Sequence, residues 1–332
     1  MLIFHYNFAV IGYPVVHSLS PQIFEAAFKA AKIDARFLKF EVAPDRLENF
    51  LQQIRAGNLA SGRRLHKFGG LAVTIPHKEK IMPLLDEVDD IACAIGAINT
   101  VANENGRLKG YNTDWQGALQ ALEETTEVAG KKIVILGAGG AAAAIAHACA
   151  GTRAFSRTDH GSNFSKTEII ILSRSREKAK TLAEKIKKIH CHSSPGSPLI
   201  LFGSLAEIFS YLADIVINAT PVGMASKSQN TATSAVTNTT TANATAESPI
   251  PKAYFRKNMV VMDCVYTPQN TRFLQDAAQA GCKIIPGSKM FLYQAACQFE
   301  IWFNQKPDLS KMAKAVQETL CAVNNAANML QN

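Results

Sequence analysis

The chain has 332 residues, 47% of them hydrophobic and 19% charged, with 35 basic against 27 acidic side chains for a formal charge of +8. That length is too great for one ordinary core and points to two domains, while the lack of any apolar run near ~20 residues argues against a membrane helix. Seven scattered cysteines without a C-x-x-C pair argue for reduced thiols, and the basic balance without aromatic-interleaved basic runs favours small anions over nucleic acid.

The opening "MLIFHYNFAVIGYP" carries neither a basic leader nor a small-residue cleavage site, so it reads as a first strand of a cytoplasmic protein. Strands and helices then alternate. "FAVIG" precedes the helix "SPQIFEAAFKAAK", in which Ser20 is placed to cap, Pro21 suits the first position, and Phe24, Ala27, Phe28 and Ala31 share one apolar face. "RFLKFEV", a helix over Pro44–Ala56 and "GLAVTIP" follow, the last with Leu71, Ala72, Val73 and Ile75 as a buried strand ended by Pro76. This alternation predicts a parallel sheet covered by helices. A helical stretch near Asp86–Ala94 leads into "AINTVANENGRLKGYNTD", a hairpin turning at Asn105-Gly106.

A second α/β unit begins at "KKIVILGAGGAAAAIAHACAG" and continues through strands at "EIIILS", "DIVINAT", "MVVMDCV" and "CKIIPG", spaced as in a doubly wound sheet. After Gly287 the chain is helical, and those helices are placed to return to the first domain. A substrate-binding catalytic domain is then expected over 1–113 and 288–332, with a Rossmann-type nucleotide domain over 114–287. Two polar insertions interrupt the pattern, at 152–166 and at 226–248, the second containing the uncharged run from Ser228 to Ala246. "HCH" at His190–His192 lacks a partner cluster, so no metal is expected.

Chemistry concentrates in three places. In "ILGAGGA", Gly137 permits a sharp turn, Gly139 lets backbone approach a pyrophosphate, and Gly140 opens a helix whose free N–H groups favour an anion; the stretch Gly137, Ala138, Gly139, Gly140 and Ala141 reads as a dinucleotide turn. The next strand ends in Ser173, Arg174, Ser175, Arg176 and Lys178 where an NAD-selective unit places a carboxylate, so a 2′-phosphate and hence NADP are predicted. Lys78 stands beyond the strand "GLAVTIP", and Asp114 beyond the hairpin; a carboxylate beside that ammonium would hold it and help relay a proton. Ser18, Ser20, Thr74, Asn99 and Asn112 fall near the same strand ends. Singly they read as caps or turn residues, and as a set they suit a polyhydroxylated substrate.

"HSLSP", "VTIPHK", "IGAINT", "GYNTD", "GAGGA", "INAT", "VYTP" and "GSKMFLYQAA" resemble, in this order and spacing, the shikimate dehydrogenase family over nearly the whole chain outside the insertions. The resemblance implies reversible reduction of 3-dehydroshikimate by NADPH, with hydride to the ketone carbon and a proton through Lys78. It implies Lys78 and Asp114 as catalytic pair, Ser18 and Ser20 on the substrate carboxylate, and Thr74, Asn99, Tyr266 and Gln294 completing the substrate site. Cys264 and Gly287 would join the glycine turn and Ser173–Lys178 along the cofactor, with Asp90 near its nicotinamide end. Two positions depart from the family pattern: Ala72 stands where asparagine is frequent, and Ser173-Arg174-Ser175 replaces the usual N-R-T. The chain is expected to act on small molecules as a monomer or homodimer, without nucleic acid or membrane. Two rivals share the motifs: a quinate/shikimate dehydrogenase using NAD, and a catalytically silent ligand sensor. Retention of Lys78 and Asp114 argues against the second.

Overall fold

The computed structural model describes residues 6–56, 68–155, 166–191, 197–224 and 247–329. They form two compact units, one comprising the chain up to Ala118 together with Phe291 onward, the other Leu119–Met290. Among the described residues no helix is long and apolar enough to cross a membrane.

In the first unit β1 (Tyr6–Gly12), α1 (Ser20–Ala31), β2 (Ala35–Glu41), α2 (Leu47–Arg55), β3 (Phe68–Val73), β4 (Glu87–Val88), α3 (Asp90–Ile95), β5 (Thr100–Glu104) and β6 (Arg107–Tyr111) build one sheet and its helices. The strand order is β2-β1-β3-β5-β6-β4. Strands β2, β1 and β3 are parallel, but β5 is antiparallel to β3 and β6 to β5, so the sheet is mixed where alternation alone predicts a parallel one. The cause is the hairpin. Asn105 (φ 55°) and Gly106 (φ 94°) turn the chain in two residues, and such a turn returns a strand antiparallel to its neighbour.

Three local expectations are corrected. The strand ends at Val73, after which His77 N–H donates to the Thr74 carbonyl in a turn that leaves Ile75 59% exposed. Ser20 does not cap α1: Leu19 flanks the helix, and the Ser18 hydroxyl accepts the Ser20 N–H while donating to Ser20 Oγ. Over Asp86–Ala94 the helix starts only at Asp90, because the Asp89 carboxylate caps it through the N–H groups of Ile91 and Ala92, and Glu87–Val88 pair with β6 instead.

The second unit follows α4 (Asp114–Glu123), inside which the chain passes between units. It contains β7 (Lys132–Leu136), α5 (Gly140–Phe155), β8 (Glu168–Ser173), α6 (Arg176–His190), β9 (Leu199–Ser204), β10 (Ile215–Asn218), β11 (Val260–Asp263), α7 (Arg272–Gln279) and β12 (Lys283–Ile285). All six strands are parallel in the order β12-β11-β10-β7-β8-β9. Ile133–Leu136, Ile169–Leu172 and Ile215–Ile217 have no exposed surface, as expected of strands covered on both faces. Helix α5 continues through Thr152–Phe155, taken above as the start of an insertion; Gly151 costs a helix only ~1 kcal/mol and nothing after it breaks one. Of the two insertions, 156–165 and 226–246 lie outside the described residues.

The chain returns to the first unit inside α8 (Gly287–Phe303), followed by α9 (Leu309–Met329), which packs on α1. Phe299, Trp302 and Phe303 of α8 join Phe8, Phe24, Phe28 and Phe37 in an aromatic layer on one face of the mixed sheet. On the other face Ile11, Leu51, Leu71, Ile81, Ile98 and Leu108 form an aliphatic core.

Candidate active site

The mixed sheet decides which residues meet. Ile11 pairs with Val73, Ala72 with Thr100, and Thr100 with Tyr111, so the ends of β1, β3 and β6 and the start of β5 lie along one edge. From that edge emerge the loops bearing Ser18 and Ser20, Thr74 and Lys78, Asn99, and Asn112 and Asp114. Gly12 makes room there: a Cβ on it would lie 2.5 Å from the Thr74 methyl and 3.0 Å from the Ile75 carbonyl oxygen.

Lys78 Nζ donates to Asp114 Oδ2 at 2.6 Å. Both backbones are pinned: Ile98 N–H donates to the Lys78 carbonyl at 2.7 Å, and Asp114 N–H donates to Asn112 Oδ1, whose own amide donates to Ala97 O. His77, fully buried, bonds the Val42 carbonyl through Nε2 at 2.7 Å; burial lowers its pKa, which keeps the ring neutral beside Lys78. Asp114's other oxygen accepts from Asn99 Nδ2 at 2.9 Å. That same amide reaches Thr113 Oγ1 at 2.9 Å and Gln294 Oε1 of α8 at 3.2 Å. Lys78, Asp114, Asn99 and Gln294 are thus one connected group, with Ser18 and Ser20 bonded to each other at 3.1 Å on the neighbouring loop. An ammonium held between a carboxylate and a half-open edge can give a proton to, or take one from, an oxygen placed there.

In the second unit, Gly137 has φ 115° and its N–H bonds Leu172 O at 2.7 Å, which turns the chain sharply off β7. A Cβ on Gly139 would meet nothing within 4 Å, so open space lies before the N-terminus of α5, next to Ala138, Gly140 and Ala141. These features fit a pyrophosphate. Ser175 caps α6 by accepting the Lys178 N–H, and Ser173 Oγ accepts the Ser175 N–H, so both hydroxyls shape the turn. Arg176 is ion-paired with Glu207 at 2.8 Å and lies over the Phe202 ring, whereas exposed Arg174 has no ion-pair partner among the described residues.

Asp263 at the end of β11 is fully buried and accepts from Asn218 Nδ2, Val265 N–H and the Thr271 hydroxyl; desolvation outweighs these donors and raises its pKa to about 6. It fixes the turn carrying Cys264, whose thiol lies 3.8 Å from Met290 Sδ, and half-buried Tyr266, whose phenol pKa is pushed by burial up to about 12. Gly287 packs on that turn so closely that a Cβ would sit 2.5 Å from the Val265 oxygen. Asp90 is exposed at the start of α3, in the first unit.

Thr100, Thr113, Gln298 and Asp263 escape a reading from sequence, although Thr100 and Thr113 stand inside "INT" and "YNT". Among the described residues no group of three or more His, Cys, Asp or Glu is placed to hold a metal ion; His190 instead meets His147 at 2.9 Å, and His192 is outside them.

Residues 10–101 match the family model of the shikimate dehydrogenase substrate binding domain, and 287–317 that of the shikimate 5'-dehydrogenase C-terminal domain. A shikimate dehydrogenase (NADP(+)) of Dehalococcoides mccartyi is 37% identical over 316 residues, covering 94% of this chain and 96% of that protein. Among solved structures, a shikimate dehydrogenase in complex with NADP+ has a TM-score of 0.76 at 36% identity, covering 95% of each chain. The shikimate 5-dehydrogenase of Thermus thermophilus in complex with NADP(H) and shikimate has a TM-score of 0.73 at 29% identity, covering 94% of this chain and 98% of that one.

Proposed function

The chain belongs to the shikimate dehydrogenase family, and from that premise we propose that it interconverts 3-dehydroshikimate and shikimate with NADP(H). The observation that carries the reading is the 2.6 Å contact of Lys78 with Asp114, whose second oxygen is held by Asn99. NADPH when bound supplies the hydride that adds to the ketone carbon. Lys78 gives its proton to the ketone oxygen, and Asp114 holds the lysine in place and assists its reprotonation. In the reverse direction Lys78 takes the hydroxyl proton. Ser18 and Ser20 bind the substrate carboxylate; Thr74, Asn99, Gln294 and Tyr266 bind its remaining oxygens.

On the cofactor side, Gly137–Ala141 cradles the pyrophosphate and Arg174 meets the 2′-phosphate, with Ser173, Ser175, Arg176 and Lys178 shaping that pocket. Cys264, Gly287 and Asp90 line the nicotinamide end. Residues 1–113 with 288–332 form the substrate-binding catalytic domain, joined by Asp114 at the start of α4, and 114–287 the NADP-binding domain. The NAD-dependent quinate reading is disfavoured by the lack of a carboxylate at Arg174, and the silent-sensor reading by the intact lysine–aspartate pair.

Initial rates with shikimate and quinate, each with NADP+ and NAD+, test this directly. Shikimate with NADP+ should give the highest kcat/KM, by at least about tenfold over NAD+, the worth of one charge-assisted bond to a phosphate. Absence of turnover with shikimate and NADP+ would overturn the proposal.

A further inference from the structure

The side chains behind Asn99 are as ordered as those in front of it. Asn99 Oδ1 accepts from the Thr113 backbone N–H at 2.7 Å and from the Thr100 hydroxyl at 2.7 Å. A backbone N–H cannot rotate away. With the amide reversed, an –NH2 would face that N–H and a carbonyl oxygen would face the Asp114 carboxylate, so the sense of Asn99 is fixed. Thr100 Oγ1 has one hydrogen, committed to Asn99, and accepts in turn from Gln298 Nε2 at 2.9 Å. Gln298 is fixed likewise, because the same –NH2 also donates to the Asn99 carbonyl at 2.9 Å, where a reversed amide would set oxygen against oxygen.

Donation thus runs one way: Gln298 to Thr100, Thr100 to Asn99, Asn99 to Asp114, whose other oxygen holds Lys78. Every link as far as Asp114 is at most 5% exposed. Successive bonds of one sense polarise each other in a medium that screens poorly, so the far end strengthens the donor at the near end. Thr113 serves the same amide from the side: its hydroxyl accepts from Asn99 Nδ2 and donates to the Gln294 carbonyl at 2.9 Å.

We propose that Thr100 and Gln298 are positioning residues for the reaction, fixing through Asn99 the Asp114 carboxylate that holds Lys78. The inference rests on the activity proposed above. Neither residue touches the lysine. Gln298 Oε1 is buried without a hydrogen-bond partner among the described residues, so the amide is kept at the cost of an unsatisfied oxygen, which packing alone gives no reason for.

The test compares Thr100→Val, Thr100→Ser and Gln298→Leu with the unmodified enzyme. Unmodified turnover of shikimate with NADP+ reports on the proposed activity by itself, and the ratio of variant to wild type reports on positioning. Thr100→Val and Gln298→Leu should each lower kcat about five- to tenfold, the worth of one hydrogen bond, leaving the KM for NADP+ within about twofold. Thr100→Ser should restore kcat to within about twofold. In an Asn99→Ala background Thr100→Val should have almost no further effect, because the chain passes through that amide. A second readout needs no turnover: the two Asn99 side-chain amide protons should be protected from exchange in the wild type and exchange rapidly in Thr100→Val. Unchanged kcat with unchanged Asn99 protection, or an equal loss in the Asn99→Ala background, would overturn the proposal.

Discussion

Replacing Asp114 by asparagine separates the electrostatic from the chemical role of the lysine pair. At 2.6 Å, and with an effective dielectric constant of ~20, the attraction between the two charges is about 6 kcal/mol before desolvation is counted. Asparagine is nearly isosteric and still offers Asn99 an oxygen, so packing is preserved and the loss is that of the ammonium's partner. Stranding one charge of a buried pair costs ~3–5 kcal/mol; Lys78, 19% exposed, recovers part of its hydration, which places Asp114→Asn near the low end, at about 3 kcal/mol. For a unit of this size that is a fall of about 6–12 °C in melting temperature. Adding Lys78→Met removes the stranded charge and should restore most of the lost stability. Activity should behave differently: either single substitution lowers kcat by about 10²–10⁴, and the double variant costs scarcely more than one. Thermal melts beside initial rates give both numbers. An Asp114→Asn variant as stable as wild type, or a double variant less stable than either single one, would refute the electrostatic account, and a kcat above half of wild type would remove Asp114 from the mechanism.

Arg174→Asp should erase most of the preference for NADP+ over NAD+, a ten- to hundredfold change in the ratio of kcat/KM, whereas Arg176→Ala, already paired with Glu207, should change it far less. Gly139→Ala should leave the melting temperature unchanged while raising the KM for NADP+, since its Cβ enters open space. Gly287→Ala should cost ~1–3 kcal/mol, measured by denaturation, because its Cβ is driven against the Val265 carbonyl. Asp263 has a folded pKa of about 6 against an ordinary 3.8, so between those values the folded chain holds the extra proton and wild-type stability falls as pH rises. Asparagine has no such slope; from pH 4 to pH 7 the stability of Asp263→Asn relative to wild type should rise by up to about 3 kcal/mol, and a difference that stays flat with pH would show the aspartate unperturbed.

The sequence made some of this legible because short-range rules govern it. Gly137 and Gly139 announce a turn wherever they follow an apolar strand, and Asn105-Gly106 announces a hairpin. Lys78 and Asp114 stand out because each follows a strand end without an apolar role of its own. What could not be read depends on direction and distance. That β5 runs against β3 and β6 against β5, so that the start of β5 and the end of β6 bring Asn99 and Asp114 to the edge used by β1, follows from pairing across strands. Gln298 looks in sequence like any polar residue of an apolar helix, and only its bonds to Asn99 and Thr100, nearly two hundred residues away, distinguish it. Ser20 misled because capping is the commoner use of a serine before Pro21, while here Ser18 claims its hydroxyl.

Helix α8 sets one further constraint, on how the length of this chain can vary through descent. Gln294, Gln298 and Trp302 stand four residues apart and engage Thr113, then Asn99 and Thr100, then Val101, whose carbonyl accepts from Trp302 Nε1 at 3.0 Å. Each residue of a helix advances it 1.5 Å and turns it by ~100°. Losing or gaining one residue between Gln294 and Trp302 would therefore swing one end of this row off its partners, however conservative the residue involved. Substitution within the row can be graded, as with serine for threonine at its partner; a change of length cannot. Inherited insertions and deletions must be absorbed in connections elsewhere, and the interval from Gln294 to Trp302 should stay constant across active descendants while those connections lengthen and shorten.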